Sequence, residues 1–125
     1  MSQYDIQDLR EEYEKAVDMP YKPDFTKPEL GTIFDKYQTV IWNEEEVQRQ
    51  RDAWDAERER LVKIRNAALD AVEDKIITYI AEETKLPEIK CQILWDYVYA
   101  EHRSDIHDMF CYLEDYTDLI YNLLH

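Results

Sequence analysis

The spacing of apolar residues in the first part of the chain follows the repeat of an α-helix. Between residues 3 and 18 these side chains are separated by three, four, three and one positions, so they share one helical face. The pattern predicts a short first helix that buries one side. The apolar positions are Ile6, Leu9, Tyr13, Ala16 and Val17.

The stretch MPYKPDFTKP, from Met19 to Pro28, interrupts this pattern with three of the four prolines. Proline cannot donate a backbone hydrogen bond and biases the preceding residue toward extended geometry. We therefore expect an irregular connection that crosses the surface.

Residues 30–41 are compatible with two interpretations. A capping box of Thr26 and Glu29 precedes apolar residues with helical spacing, which favours a helix, whereas the β-branched stretch TVIW is typical of a strand. We expect a short helix. The apolar residues concerned are Leu30, Ile33, Phe34, Tyr37 and Ile41.

A clear helix start follows at residues 42–47. Asn43 is a suitable N-cap, Trp42 can pack on Val47 as a hydrophobic staple, and three glutamates follow Asn43, where they stabilise the positive helix end. Nothing breaks the helix before Pro87. The sequence predicts one long helix over residues 44–84, about 60 Å in length at 1.5 Å per residue.

The two halves of this predicted helix differ in apolar content. From residue 61 onward a continuous apolar stripe indicates packing in a core. The stripe consists of Leu61, Ile64, Ala68, Val72, Ile76, Tyr79 and Ile80.

The half before residue 61 is highly charged and has only a thin apolar line. Val47, Trp54 and Leu61 are seven residues apart, which is the spacing of a coiled-coil seam. Arg51 and Arg58 flank this line and suit ion pairs across an interface. We expect a dimer or partner seam here, and Trp54 has three possible covers: a second copy of the chain, the N-terminal helices folded back, or a target protein.

Two more helices are expected after Pro87. Proline suits the first turn of a helix, which would run to about Glu101, and Ser104 can cap a last helix. The expected core face of the third helix is Ile89, Ile93, Leu94, Tyr97 and Val98. The expected core face of the last helix is Ile106, Met109, Phe110, Leu113, Thr117, Ile120 and Leu124.

These elements predict an all-α fold, a helical bundle with one long helix and a C-terminal helical pair. We expect a single domain over residues 1–125. Within it, residues 1–42 hold the N-terminal helix, the proline-rich connection and the short helix, residues 43–86 the long helix, and residues 87–125 the helical pair. Cys91 and Cys111 are too far apart for a zinc or redox motif and are expected to be buried free thiols.

Charge is distributed in blocks along this acidic chain, whose formal net charge is −14. Residues 1–46 carry a net charge of −7, residues 47–65 a charge of +2, and residues 66–125 a charge of −9. The basic stripe is expected to pair largely with itself along the helix. Direct nucleic-acid binding is not expected, because phosphate attraction would have to overcome the surrounding acidic field. The expected pairs are Glu45 with Arg49, Asp55 with Arg58, and Glu59 with Lys63.

Acidic residues form a row on the last predicted helix. Asp105, Asp108, Asp115 and Asp118 are separated by three, seven and three positions, which places them opposite the apolar face. A comparable row on the first helix contains Asp5, Asp8 and Glu12.

These rows have two interpretations. They keep a small protein soluble, or they imitate the regularly spaced phosphates of a nucleic acid. The helix dipole accounts for the two acids in the first turn of the last helix, but not for Asp115 and Asp118. We favour a partner-binding role for the whole pattern.

An enzymatic alternative rests on the stretch EDYTDLIYNLL at residues 114–124. It resembles the second acidic motif of the all-α nucleotide pyrophosphohydrolases, in which Asp115 and Asp118 would hold magnesium. That family also needs an EExxE-type motif on an earlier helix, and the nearest candidates, Asp105 and Asp108, lie on the same helix. His102 and His107 are separated by a predicted helix start, so no metal pair is expected. We expect a non-enzyme without a cofactor.

The stretch LWDYVYAEHRSDIHDMFCYLEDYTDLIYNLL, residues 94–124, resembles the C-terminal helix pair of small bacteriophage early proteins. The short, acidic, Tyr- and Trp-rich chain is also similar to phage anti-defence proteins, the Ocr-like DNA mimics and anti-CRISPR type. This resemblance implies an inhibitor that binds a host defence protein, of restriction or CRISPR type, at its nucleic-acid-binding surface. The basic helical segment departs from those mimics.

A second hypothesis assigns the chain a structural or assembly role as a coiled-coil homodimer formed through the seam. For either role we expect a cytoplasmic location, which is the host-cell cytoplasm for a phage protein. The N-terminus lacks the pattern of a signal peptide, and no apolar run approaches the roughly 20 residues that span a bilayer.

Overall fold

The computed structural model of the protein describes residues 2–29, 33–34, 36–37, 40–41 and 44–125. The described elements are four helices and one short antiparallel ladder. They are α1 (Ile6–Asp18), β1 (Ile33–Phe34), β2 (Val40–Ile41), α2 (Glu44–Thr84), α3 (Glu88–His102) and α4 (Ile106–Leu124). The predicted all-α class, the long helix and the C-terminal helical pair are confirmed.

The chain divides into two compact units. The bundle unit contains residues 1–18 and 67–125, and the linker unit contains residues 19–66. Helix α2 contributes its first half to the linker unit and its second half to the bundle unit.

Helix α1 forms as its one-sided apolar pattern predicts. The side chain of Asp5 accepts a hydrogen bond from the Gln7 amide at 2.8 Å, which satisfies one of the free donors at the helix start. Leu9, Tyr13 and Ala16 are buried on the predicted face.

The predicted short helix at 30–41 is wrong for the residues that can be compared. Ile33 pairs with Ile41 and Phe34 with Val40 in an antiparallel register. The β-branched residues at positions 33, 40 and 41 favour this extended pairing over a helix. Leu30, and the predicted N-cap Asn43 and staple residue Trp42, lie outside the described residues.

The end of α2 is built without glycine. The buried Thr84 hydroxyl donates to the Ile80 carbonyl at 2.6 Å and accepts from the Leu86 amide at 3.2 Å. Lys85 adopts the left-handed conformation, with φ of 63°, and the chain then turns into α3 after Pro87. The Thr84 hydroxyl thereby gives the Leu86 amide, which follows the helix, a hydrogen-bond acceptor.

The core of the bundle unit brings together one face from each of its four helical segments. Tyr13 of α1 packs edge-on against Trp95 of α3, with ring centroids 5.9 Å apart, and lies 5.6 Å from Phe110 of α4. Such aromatic pairs contribute about 0.5–1.5 kcal/mol beyond the burial of their surface. The buried cluster is Leu9, Tyr13, Val72, Ile76, Ile77, Tyr79, Ile80, Cys91, Trp95, Val98, Met109, Phe110 and Leu113.

The predicted stripe of α2 is core only in its second half. Val72, Ile76 and Ile80 are fully buried, whereas Ile64 is 47% exposed. Ile64 belongs to the linker unit, which ends at Asn66, so it lies outside the bundle core.

The predicted core face of α3 is mostly wrong. Cys91, Trp95 and Val98 are buried, whereas Ile89 is 72% and Ile93 63% exposed. The helix carries apolar residues on two sides, so their spacing alone does not select one of them. The side of α3 that carries the large Trp95 ring is the one buried in the core.

Candidate interaction surface

The acidic row of α4 begins with a residue that has a structural role. Asp105, rather than the predicted Ser104, is the N-cap of α4, and its side chain accepts a hydrogen bond from the Asp108 amide at 3.2 Å. This bond satisfies a donor at the positive end of the helix. Asp108 lies in the first turn, where the helix dipole stabilises its charge.

The two histidines lie on different helices, as predicted. His102 in α3 stacks on the Tyr112 ring with centroids 3.8 Å apart, while His107 in α4 lies 3.8 Å from an Asp108 carboxylate oxygen. Asp105, His107 and Asp108 each offer a ligand atom within 4.8 Å of the others. All three residues are exposed, and Asp105 already caps the helix, so this group is suited at most to a loosely held cation.

Asp115 and Asp118 lie farther along α4, and both are exposed. Among the described residues, neither forms a hydrogen bond or an ion pair. Burial is the main cause of the raised pKa of Tyr79. The negative charges of Glu83, Glu114 and Asp118 raise this pKa further, and Asp118 contributes the least of the three. These two carboxylates are therefore available to an external cation or cationic side chain.

The acidic row predicted on α1 is only partly available. Glu12 binds the Lys75 ammonium of α2 through both carboxylate oxygens, at 2.9 and 3.0 Å. Asp5 uses one side-chain oxygen to cap α1, and Asp8 lies in its first turn. The capping geometry and the ion pair account for all three acids within the fold.

A further acidic cluster, which the residue spacing does not reveal, joins α2 and α3. Burial raises the pKa of Glu73, and the neighbouring carboxylates of Asp70, Asp96 and Asp74 raise it further. Asp96 comes from a different helix, so the cluster depends on tertiary packing. It shows that like charges are concentrated in the bundle unit.

The predicted seam lies in the linker unit and is covered by the chain itself. The Trp54 indole donates a hydrogen bond to the Phe25 carbonyl at 2.9 Å, and the Lys27 ammonium lies 4.9 Å above the indole ring. Arg51 donates to the Pro28 carbonyl at 2.6 Å. The observed cover is the proline-rich connection that follows α1, rather than the N-terminal helices themselves.

The remaining seam residues differ in exposure. Val47 is completely buried, Leu61 is half-buried, and Arg58 is exposed. A buried Val47 offers no apolar contact to a second copy of the chain. The seam residues are therefore used largely within the linker unit.

The basic stripe pairs along α2, but with partly different acids from those predicted. Glu59 binds Lys63 at 3.2 Å, as expected. Arg49 pairs with Glu46 rather than Glu45. Asp55, which was predicted to pair with Arg58, instead binds Lys27 of the proline-rich connection at 2.7 Å. Glu57 binds Arg60 at 2.6 Å, a pair that was not predicted.

The resulting charge separation follows the division into units. The bundle unit holds 19 acidic and six basic residues, for a net charge of −13, whereas the linker unit holds ten acidic and nine basic residues, for a net charge of −1. The acidity of the chain is thus almost entirely a property of the bundle unit.

Comparisons with models of protein families, with curated proteins and with solved structures find no match for this chain. Within the described part of the chain, no helix combines the length and the apolar character needed to cross a bilayer.

Proposed function

We propose that this protein is a non-enzymatic inhibitor, of the phage anti-defence type, that occupies a nucleic-acid-binding surface of a host restriction or CRISPR protein. The observation that carries the proposal is the concentration of a net charge of −13 on the helices of the bundle unit. A protein surface that binds phosphates presents the opposite charge and attracts such a field from a distance.

The exposed carboxylates of α4 are the best candidates for direct pairing with the partner. Asp108, Asp115 and Asp118 lie on a helix whose opposite face is anchored in the core by Met109, Phe110 and Leu113. Anchoring keeps the carboxylates in fixed positions, so little conformational freedom is lost when arginine or lysine binds them. A flexible acidic tail would lack this advantage.

The test is capture of proteins from a bacterial lysate on the immobilised chain, at about 50 and 200 mM salt. The proposal predicts a nucleic-acid-binding protein that is retained at low salt, released at high salt, and displaced by added DNA or RNA. Purified partner is then titrated against the variant D108N/D115N/D118N, for which we expect at least a tenfold loss of affinity.

A matched control separates the α4 row from net charge in general. The variant D24N/E29Q/E45Q removes three exposed carboxylates of the linker unit and changes the net charge by the same amount. We expect it to bind the partner within about twofold of the wild type, as rim charges alter mainly association rate and salt dependence. Equal affinity of the α4 variant and the wild type would contradict the proposal.

The alternative role as a homodimeric assembly protein receives less support from the linker unit. Its proposed seam is occupied by the chain itself, at Val47, Arg51 and Trp54. Light scattering after size exclusion distinguishes the two roles, since an obligate dimer that Trp54→Ala dissociates would support the assembly role.

A further inference from the structure

An apolar groove lies between α3 and α4 on the outside of the bundle unit. It has a volume of about 250 Å³ and is lined by Leu94, Tyr97, Tyr116, Leu119 and Ile120. Tyr97 is 52% and Leu119 55% exposed. We call these five residues the α3–α4 groove.

The apolar surface continues beyond the groove along both helices. Ile93 precedes Tyr97 by one helical turn, Tyr112 precedes Tyr116, and Leu123 follows Leu119 in the same way. All three flanking residues are exposed. Contiguous apolar surface of this kind on a small protein marks a binding site more often than an ordinary solvated face.

The aromatic residues of this surface are held in place by one another. The rings of Tyr97 and Tyr116 lie 6.0 Å apart, and those of Tyr112 and Tyr116 lie 5.9 Å apart. The His102 ring stacks on the Tyr112 ring with centroids 3.8 Å apart. Tyrosine side chains that are already fixed lose little freedom on binding, which is why they are frequent in the centres of protein interfaces.

The border of the groove is acidic. Glu101 lies one helical turn beyond Tyr97 and contributes to the negative field around Tyr116, while Asp115 lies one turn before Leu119. Asp108 lies one turn before Tyr112. Lys90, one turn before Leu94, is the basic exception on this side of α3.

This charge pattern argues against a second copy of the chain as the occupant. Two identical faces would bring their acidic borders together, and each bundle unit carries a net charge of −13. Like charges placed opposite each other in an interface weaken it substantially. The complementary occupant has an apolar stripe with lysine or arginine on both sides.

We infer that the α3–α4 groove binds a basic amphipathic helix of the partner protein, whose apolar side chains enter the groove and whose cationic side chains pair with Glu101, Asp108 and Asp115. A helix that lies in an apolar groove is a recurring mode of protein recognition. This inference rests on the proposed function, because it names the part of the same partner that the bundle unit recognises.

The test uses a defined probe, a labelled peptide of about 18 residues with leucines at helical spacing and lysines or arginines elsewhere. A peptide of the same composition in scrambled order is the control for charge alone. Fluorescence anisotropy should show at least tenfold tighter binding of the amphipathic peptide than of the scrambled one. In NMR spectra of the protein, the backbone amide signals of Leu94, Tyr97, Leu119 and Ile120 should shift when the peptide is added.

Two matched variants test the location. Leu119→Ser removes a side chain of the groove that is 55% exposed, and Ile64→Ser removes one of the linker unit that is 47% exposed. We expect Leu119→Ser to weaken binding of the amphipathic peptide about tenfold and Ile64→Ser to leave it unchanged. Circular dichroism verifies that both variants fold.

Equal affinity for the two peptides, or full affinity of Leu119→Ser, would overturn the inference. A dimer that Leu119→Ser dissociates would also overturn it, since the occupant would then be a second copy. If the peptide fails while salt-sensitive capture by the α4 carboxylates persists, the groove assignment fails and the proposed function stands. If the peptide binds but D108N/D115N/D118N captures the partner normally, the groove assignment stands and the proposed function fails.

Discussion

The indole nitrogen of Trp54 donates a hydrogen bond of 2.9 Å to the backbone carbonyl of Phe25. This contact attaches the proline-rich connection to the basic half of α2. Lys27 extends the attachment by pairing with Asp55 and lying above the indole ring. A highly charged helical segment with few apolar residues is thus stabilised by contacts within the linker unit.

Removing the indole donor should loosen the connection. In Trp54→Phe the aromatic surface is mostly kept, but the Phe25 carbonyl loses its partner, at a cost of about 1 kcal/mol. Chymotrypsin, which cleaves after phenylalanine, should therefore cut after Phe25 several times faster. Trypsin is unsuitable, because Lys22 and Lys27 both precede proline.

Asp52→Asn is the control for this experiment. Asp52 lies on the same part of α2, but its side chain accepts from Gln48 and does not contact the connection. Its cleavage rate should equal that of the wild type. The same rate in Trp54→Phe would mean that the indole bond does not hold the connection.

The hydroxyl of Thr84 should be important for the end of α2. Thr84→Val keeps the shape of the side chain but leaves the Leu86 amide without its acceptor, which should lower the free energy of unfolding by about 1–3 kcal/mol. Urea denaturation measures this loss. Thr78→Val is the matched control, because the Thr78 hydroxyl bonds only the Asp74 carbonyl at an exposed site, and it should cost less than about 0.5 kcal/mol.

Lys85 should be replaceable by glycine with a gain in stability. Its φ of 63° lies in the left-handed region, which costs a non-glycine residue about 1 kcal/mol. Lys85→Gly should raise the free energy of unfolding by a similar amount, and thermal melting should show a higher midpoint. Lys90→Gly, inside α3, should instead lower it by about 1 kcal/mol. A loss of stability in both variants would count against strain at Lys85.

Glu73 should make stability depend on pH in a defined direction. Burial and the carboxylates of Asp70, Asp96 and Asp74 raise its pKa above the ordinary 4.5. The native state therefore disfavours the ionised form, and this penalty is fully present only above the raised pKa. It is absent well below pH 4.5, where the carboxyl is protonated in both states.

Glu73→Gln removes the penalty. We expect its free energy of unfolding at pH 7 to exceed that of the wild type by no more than about 0.5 kcal/mol, because solvent screens a half-buried carboxylate. The difference should vanish near pH 3.5, where both side chains are neutral. Glu11→Gln, which changes the same charge at an exposed site of α1, should show no such gain. An unchanged stability of Glu73→Gln at pH 7 would contradict the assigned cause.

Two identical substitutions, one at Ile76 of α2 and one at Ile93 of α3, test whether Ile93 faces the core. Ile76→Ala removes a fully buried side chain and should cost about 2–5 kcal/mol. Ile93→Ala changes a residue that is 63% exposed and should stay within about 0.5 kcal/mol of the wild type. Comparable losses in the two variants would restore the face that the residue spacing predicts.

The elements that the sequence predicts well are those whose core face follows one continuous helical spacing. In α1 and α4 this spacing makes Leu9, Tyr13, Met109 and Leu113 recognisable as core, although α4 also carries exposed apolar residues. Helix α3 has two apolar sides, and packing against the other helices decides which one is buried. The short ladder depends on pairing between residues six or eight positions apart, which helical spacing does not detect.

The candidate surface could be predicted only in part. The carboxylates of α4 follow from helical spacing, because they lie on one exposed face of a single element. The acidic cluster around Glu73 and the α3–α4 groove each combine residues of two helices. Their recognition requires the packing, which no local pattern contains.

The prediction that both cysteines are buried is confirmed for Cys91 and wrong for Cys111, which lies on the exposed side of α4. Cys91 is buried, and burial raises the pKa of its thiol, whereas Cys111 is exposed on α4, with its sulfur 3.7 Å from the His107 ring. A thiol-reactive dye should therefore label Cys111 selectively, because the thiolate is the reactive form. The dye would lie between Asp108 and Asp115 in sequence, so the protein carries a natural attachment point from which partner binding can be followed by fluorescence.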